Sequence, residues 1–579
     1  MALLRARLHL FGFVLSFLFA STFAAAAVPN PTVTGPIPSK APPGDPSHNY
    51  PWLATGHNLA AVGYVEEEYF YEGTANRYVF PATAPVDTPP TVATVQDSGH
   101  PYRTRMIVRR PVSPAKFNGT VIVEWQNVTA GYDLDAMWGA SYEHFLREGY
   151  VWVGVSAQRV GVDQIKTWSP ARYGTLDVTQ GGTVGSDALS YDIFAQALQA
   201  IKSPVGVNPL GQLQARKIIV TGASQSGGYL QRIINNLHPL YGSAKTGGPT
   251  DAYLVYISGG VLNTHLDVPV WKLISETDVA GQVASRQPDT ATYRSWEVAG
   301  ATHSGRRTAL NSRPLVARDG WPLTGNACTY PIHPRVPVQH VTNAVYDHLV
   351  RWIADPNYAP PHAEPIATIG TTIVRDADNN ALGGVRLPEM LAPTAWNAGT
   401  GNSDADGTST FCRLYGTYLP FTQQRLDALY PNHGSYVSQT QAAIQTDVKG
   451  GLLVPADASL TQYMAAHSIV GQAACSSNGE GSACFAARDL VEMSYFYLWT
   501  TGQVEQFMAQ ASDIMQTVAR AEASGGKKGG SSQAAYTSVR RDLQRYIDSV
   551  RALQAQGSLS AVSANELAAG AQAVLTALP

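Results

Sequence analysis

From residue 61 the chain alternates between short runs of β-branched or aromatic residues and amphipathic stretches. Residues 120–125, 150–156, 217–221, 253–258 and 268–274 read as strands, nearly continuous in apolar side chains, as strands buried on both faces are. Residues 134–147, 191–202 and 229–237 between them carry helical spacing. Strand then helix, repeated, predicts a mostly parallel sheet covered on both faces by helices, an α/β fold. Val341, Val345, His348, Leu349 and Ile353 step by threes and fours and close the unit as a helix, which bounds it at 61–360.

Outside that unit the pattern changes. Residues 28–60 are rich in Pro, Gly, Ser and Asn and read as a loosely packed leader. The 361–420 segment, Pro/Gly-rich with short strand-like pieces, reads as an extension packed on the main unit. Helical signals take over in 421–523, and a Gly/Lys-rich connector spans 524–532. In the C-terminal helical region, 533–579, Tyr536, Val539, Leu543, Tyr546, Ile547, Val550 and Leu553 form one stripe. Ser563 and Glu566 have capping-box spacing for the start of the last helix.

The first 27 residues add a compartment. Arg5, Arg7 and His9 precede an apolar run, and Ala24 to Ala27 offer small residues for cleavage, so 1–27 reads as a signal peptide of a periplasmic or secreted protein. The run is too short to span a bilayer comfortably, so no membrane span is expected in the mature chain. In that compartment the four cysteines become disulfide candidates. The favoured pairing is Cys475 with Cys484, across a short Ser/Gly-rich loop, and Cys328 with Cys412; two other pairings stay open.

Composition narrows the function further. Of 579 residues 44% are apolar and 14% charged, which excludes a disordered polyelectrolyte. With 40 Lys and Arg against 43 Asp and Glu, the net charge of −3 gives no attraction to phosphate, so no nucleic-acid partner is expected. No dinucleotide fingerprint, P-loop or HExxH string occurs, so neither a metal nor an organic cofactor is indicated.

The chemistry concentrates at Lys217-Ile-Ile-Val-Thr-Gly-Ala-Ser224-Gln-Ser-Gly-Gly. A buried strand, a sharp turn at Ser224 and a following helix would hold the hydroxyl above the sheet in a strained backbone. Small residues are needed two positions to either side, where strand and helix cross; Gly222 supplies one, and Ser226 departs from the usual glycine. Ser226 is itself a competing nucleophile, but with Ser224 where its own upstream glycine belongs. A serine needs a base and an orienting acid, in the order Ser, acid, His. His303 follows the short strand-like run Ser295-Trp-Glu-Val-Ala. Asp278 and Glu276 both end the preceding strand, with Asp278 preferred and Glu276 the alternative acid. The oxyanion donors are expected from the Gln225 amide and from the loop after residue 123. There Asn127, Val128 and Thr129 are all open, with Val128 the working candidate. Trp125, Tyr132, Trp138, Trp168 and Tyr173 are candidates to line a substrate pocket, with Trp125 and Tyr132 foremost.

At these residues the chain resembles the α/β-hydrolase superfamily, and more closely a group of secreted bacterial α/β-hydrolase-domain proteins. Their shared strings stand here as Gly119-Thr-Val-Ile-Val-Glu-Trp-Gln-Asn-Val, Val153-Gly-Val-Ser-Ala-Gln158, Arg172-Tyr-Gly-Thr-Leu176, Gly222-Ala-Ser-Gln-Ser, Val298-Ala-Gly-Ala-Thr-His303 and Gly383-Gly-Val-Arg-Leu-Pro388. The resemblance implies an α/β-hydrolase fold with Ser224, Asp278 or Glu276, and His303 as its triad. The tail around 543–556 loosely resembles a small helical module appended to extracellular bacterial enzymes. The expectation is a secreted serine hydrolase acting on a small-molecule or polymeric carboxylic ester through an acyl-enzyme. An amidase or peptidase with the same triad, and a non-catalytic binding protein, are the alternatives.

Overall fold

The computed structural model describes residues 28–81, 92–325, 327–407, 411–472, 475, 481–523 and 530–579. The expected signal peptide, 1–27, lies outside the described residues, as does most of the 524–532 connector. A single ten-stranded sheet is built from β1 (Thr32–Thr34), β2 (Tyr64–Val79), β3 (Thr94–Pro111), β4 (Thr120–Trp125), β5 (Val151–Val155), β6 (Val205–Gly206), β7 (Lys217–Ala223), β8 (Ala252–Tyr256), β9 (Val270–Ser275) and β10 (Tyr293–Val298). Its order is β10-β9-β8-β7-β4-β5-β3-β2-β1-β6. From β10 to β5 all neighbours run parallel. The pairs β5–β3, β3–β2 and β2–β1 are antiparallel.

The parallel half follows the apolar runs within one or two residues. The strands β2 and β3 are not announced by any such run, because they hold their places with partly exposed polar residues. An antiparallel pair with one face near solvent needs no continuous apolar string. Glu68 of β2 and Arg105 and Arg109 of β3 are buried; Glu68 pairs with Arg105 and accepts from Arg172 Nε at 2.8 Å and the Tyr173 hydroxyl at 2.7 Å.

Among the flanking helices are α1 (Ala136–Glu148), α2 (Ser190–Lys202), α3 (Gln225–Arg232), α4 (Arg306–Arg318) and α5 (Val338–Ala354). Side chains alternate across the sheet, as the pleat requires. Ile122 packs with Trp138, Phe145, Val345 and Leu349 of α1 and α5. Val121 and Val123 pack with Ile193, Phe194 and Leu230 of α2 and α3. Register places Trp125 opposite Gly222, Ala223 opposite Tyr256, and Val298 opposite Ser275. The loops leaving these strands therefore meet at one edge of the sheet.

The C-terminal part holds α6 (His433–Lys449), α7 (Pro455–Ala466), α8 (Ala483–Leu498), α9 (Val504–Ala523), α10 (Gly530–Ala555) and α11 (Ala561–Ala577). The stripe of Val539, Leu543, Tyr546, Val550 and Leu553 is buried in the same apolar core as α8, α9 and α11. The regions read separately as 421–523 and 533–579 are thus joined by packing. That core continues into the α/β body: the Tyr142 hydroxyl donates to Phe496 O at 2.6 Å, and that of Tyr497 to Leu310 O at 2.9 Å. The last helix starts earlier than its capping-box spacing suggests. Ser560 Oγ accepts from the Ser563 amide at 3.2 Å, while Ser563 Oγ is turned to Gly56 O at 3.0 Å.

Residues 28–60 are not a loose leader. β1 joins the sheet, and Tyr50, Trp52 and Leu53 are buried. Trp52 Nε1 donates to Asp133 O at 3.0 Å and the Tyr50 hydroxyl to Asp319 at 2.9 Å. A Pro/Gly-rich composition reports turns; it says nothing of two aromatic anchors within them. The favoured cysteine pairing is present: Cys328–Cys412 and Cys475–Cys484, with Cα atoms 5.5 and 6.2 Å apart. Among the described residues no helix is long and apolar enough to cross a membrane.

Candidate active site

β7 ends at Ala223 and α3 begins at Gln225, so Ser224 alone makes the turn, at φ 57° and ψ −118°. A positive φ is unfavourable for a side-chain-bearing residue and persists only where surroundings hold it. Here the Ser224 amide donates to Tyr256 O at 3.0 Å. A side chain at position 222 would put Cβ 2.9 Å from Ser226 O, which explains the upstream glycine. Downstream, the crowded position is Gly227, where a Cβ would collide with Ser258. Ser226 is therefore tolerated where a glycine was expected. Its hydroxyl is buried and spent, donating to Ala223 O at 2.8 Å and accepting from Ala223 N at 3.0 Å.

The two strands to one side bring a histidine and a carboxylate to the same edge. His303 Nε2 stands 2.7 Å from Ser224 Oγ, and its Nδ1 stands 2.8 Å from Asp278 Oδ1. The other Asp278 oxygen accepts from Ser275 Oγ at 2.6 Å, and the His303 amide donates to Thr277 Oγ1 at 3.1 Å. The Asp278 carboxylate and the His303 backbone are thus each held by a further contact. Glu276, the alternative acid, points elsewhere. It is fully buried, accepts from the Gly300 amide at 2.6 Å and pairs with Arg375 Nη2 at 2.7 Å. Burial pushes its carboxyl upward against the pull of Arg375.

The loop after β4 is tied to the nucleophile turn. Asn127 Nδ2 donates to Ala223 O at 2.9 Å. Its amide donates to Leu134 O at 3.3 Å, and the Thr129 amide to Asn127 Oδ1 at 2.9 Å. The amides of Asn127 and Thr129 are thus committed within the loop. Glu124, at the end of β4, accepts from the Met137 amide at 3.0 Å and from Trp152 Nε1 at 2.9 Å. Burial pushes its carboxyl up to about 8.

A cavity of about 130 Å³ opens beside Ser224 and His303, and Tyr132 lines it. Trp125 does not. It is fully buried between β4 and the helices, with Phe194 4.6 Å and Tyr229 5.0 Å away between ring centres, and its indole N–H donates to Gln158 at 3.0 Å. Strand-end aromatics alternate in direction, and the side of the sheet cannot be read from adjacency to a motif. Trp138, Trp168 and Tyr173 are likewise buried in core packing. The sequence reading missed Arg313, His333, Leu414 and Tyr415 as cavity wall. The one signal available was Cys412, whose bond to Cys328 brings the Leu414–Tyr415 segment over the site. His333 is no rival base: its Nδ1 is 3.1 Å from Ser304 O, and burial together with Arg306 and Arg335 pushes it down to about 3.

The sequence pattern of the alpha/beta hydrolase domain family matches residues 33–462 of the chain. The chain belongs to this family. The α/β-hydrolase core is the part described above as sheet and flanking helices, and the general activity that goes with the family is of the hydrolase, esterase type. Among curated proteins none matches the chain. Of solved structures, the rice cell-wall-degrading esterase LipA from Xanthomonas oryzae is 12% identical, over 35% of this chain and 48% of that one, with a TM-score of 0.20. A structure from a study of two prolyl endopeptidases is 13% identical, over 45% and 37%, with a TM-score of 0.24. A dienelactone hydrolase-like promiscuous phosphotriesterase from metagenomic libraries is 13% identical, over 36% and 68%, with a TM-score of 0.18. The chain spans less than half the length of the first two, and none of the three is close enough to bear on substrate.

Proposed function

We propose that this α/β hydrolase is an exported serine hydrolase that cleaves carboxylic esters, with Ser224 as nucleophile, His303 as base and Asp278 as orienting acid. The observation that supports it is the position of His303, within hydrogen-bonding reach of both Ser224 Oγ (2.7 Å) and Asp278 Oδ1 (2.8 Å). Ser224 Oγ attacks the acyl carbon as its proton passes to His303 Nε2. The carbonyl oxygen becomes an oxyanion, held by the amides of Gln225 and Val128. Collapse breaks the ester bond, and the leaving alkoxide takes the proton from His303. Water then repeats the sequence on the acyl-enzyme, releasing the acid and restoring Ser224. The disulfides support the export part of the proposal, since such bonds persist in oxidising compartments.

A fluorophosphonate probe tests the nucleophile. The expected adduct is on Ser224, absent from Ser224→Ala and retained in Ser226→Ala. Labelling of the Ser224→Ala protein at another serine would transfer the role.

A further inference from the structure

A second cavity, of about 240 Å³, lies among α6, α7, α8 and α9 where they meet the α/β body, and it takes no part in the site at Ser224. Much of its wall is apolar, from Leu426, Leu460, Met464, Val491 and Met515. Into it also comes Arg488 of α8, with Nε and Nη2 both buried and without a hydrogen-bond partner. The nearby carboxylates are already taken: Asp489 by Arg306 and Arg335, and Glu492 by Arg306. Among the described residues no carboxylate stands within ion-pair distance of Arg488. Its guanidinium is nevertheless held in place, over Phe485 at 5.1 Å and Tyr418 at 5.4 Å from the ring centres. Hydroxyls of Thr440 and Ser512 are also buried in the wall.

Buried polar atoms are nearly always satisfied, and buried N–H donors on a guanidinium are costly to leave open. A positioned fork of N–H donors facing an apolar chamber is complementary to a planar monoanion with a hydrocarbon body. We propose that this cavity is a binding site for a small organic monocarboxylate, its carboxylate on Arg488 and its apolar body against Leu460, Met464 and Met515. Of the two carboxylates in the wall, Glu492 is paired with Arg306 at 2.7 Å, and Glu389 is pushed up to about 8 by burial and so is mostly neutral near pH 7. The site depends on no reaction at Ser224.

Calorimetric titration of octanoate, octan-1-ol and octylammonium into the whole purified protein near pH 7 tests the assignment. One saturable site is expected, with octanoate bound about tenfold or more tightly than octan-1-ol and octylammonium excluded. Arg488→Leu should erase the preference for octanoate, Arg488→Lys should keep part of it, and Arg313→Leu, in the wall at Ser224, should leave it intact. Equal affinity for octanoate and octan-1-ol in the unmodified protein overturns the proposal without recourse to a variant. So does the absence of saturable binding up to about 1 mM, which would mean a chamber filled by water alone. Loss of octanoate binding in Arg313→Leu but not in Arg488→Leu would place the acid at Ser224 instead.

Discussion

Around Ser224 the polar side chains hold one another, His303 between Ser224 and Asp278 and Asp278 on Ser275, whereas Arg488 in the helical cavity has open donors. The first arrangement is complete without a ligand, as groups that must be aligned before a reaction are. The second is complete only when something enters. The same contrast separates the two carboxylates after β9. Asp278 reaches a ring that a substrate can approach, while Glu276 is spent on the Gly300 amide and Arg375.

The largest break in that contrast should come from the reacting groups. Ser224→Ala is expected to lower kcat by about 10⁴-fold or more, and Asp278→Asn by a similar factor through the wrong His303 tautomer, both read by ester turnover. Glu276→Gln should instead cost stability, about 2–3 kcal/mol in denaturant unfolding, because it leaves Arg375 facing a neutral group. A rate loss in Glu276→Gln equal to that of Asp278→Asn would make Glu276 the acid.

The two disulfides offer a further comparison. Cys328–Cys412 closes 84 residues and brings the Leu414–Tyr415 wall over the cavity, whereas Cys475–Cys484 closes 9. Loop-closure entropy alone puts their contributions near 4.6 and 2.6 kcal/mol, each as an upper figure of about that size. Replacing Cys328 and Cys412 by Ser should also raise KM several-fold; replacing Cys475 and Cys484 should lower the melting temperature and leave KM alone.

Glu124 offers a comparison in pH rather than in rate. Its carboxyl ionises near 4.5 when unfolded and stays protonated to about 8 in the fold. Between those values the native state holds the extra proton, so stability falls as pH rises through the window. Glu124→Gln should flatten the melting temperature across pH 4.5 to 8 relative to the unmodified protein.

Much of this was legible in the amino acids themselves. The apolar runs carried the parallel strands, because a strand buried on both faces has no room for polar residues. Ser224, His303 and the two carboxylates Glu276 and Asp278 were legible as candidates because each follows the same end of a parallel strand. The antiparallel strands β2 and β3 were not, since their stability rests on pairing and on Glu68 with Arg105, contacts distant in the chain. Trp125 misled for a related reason: adjacency to a motif does not say which face of the sheet a side chain takes.

What the sequence by itself determined is therefore local: strand runs, the sharp turn at Ser224, the stripe from Tyr536 to Leu553, and the residue types available for chemistry. Only the tertiary structure put Asp278 rather than Glu276 beside His303, spent the hydroxyl of Ser226, moved Trp125 into the core, and left Nε and Nη2 of Arg488 without hydrogen-bond partners. Each of those outcomes depends on which atoms from remote segments come within 3 Å or so of one another, and hydrogen bonds are too short-ranged for spacing along the chain to specify them.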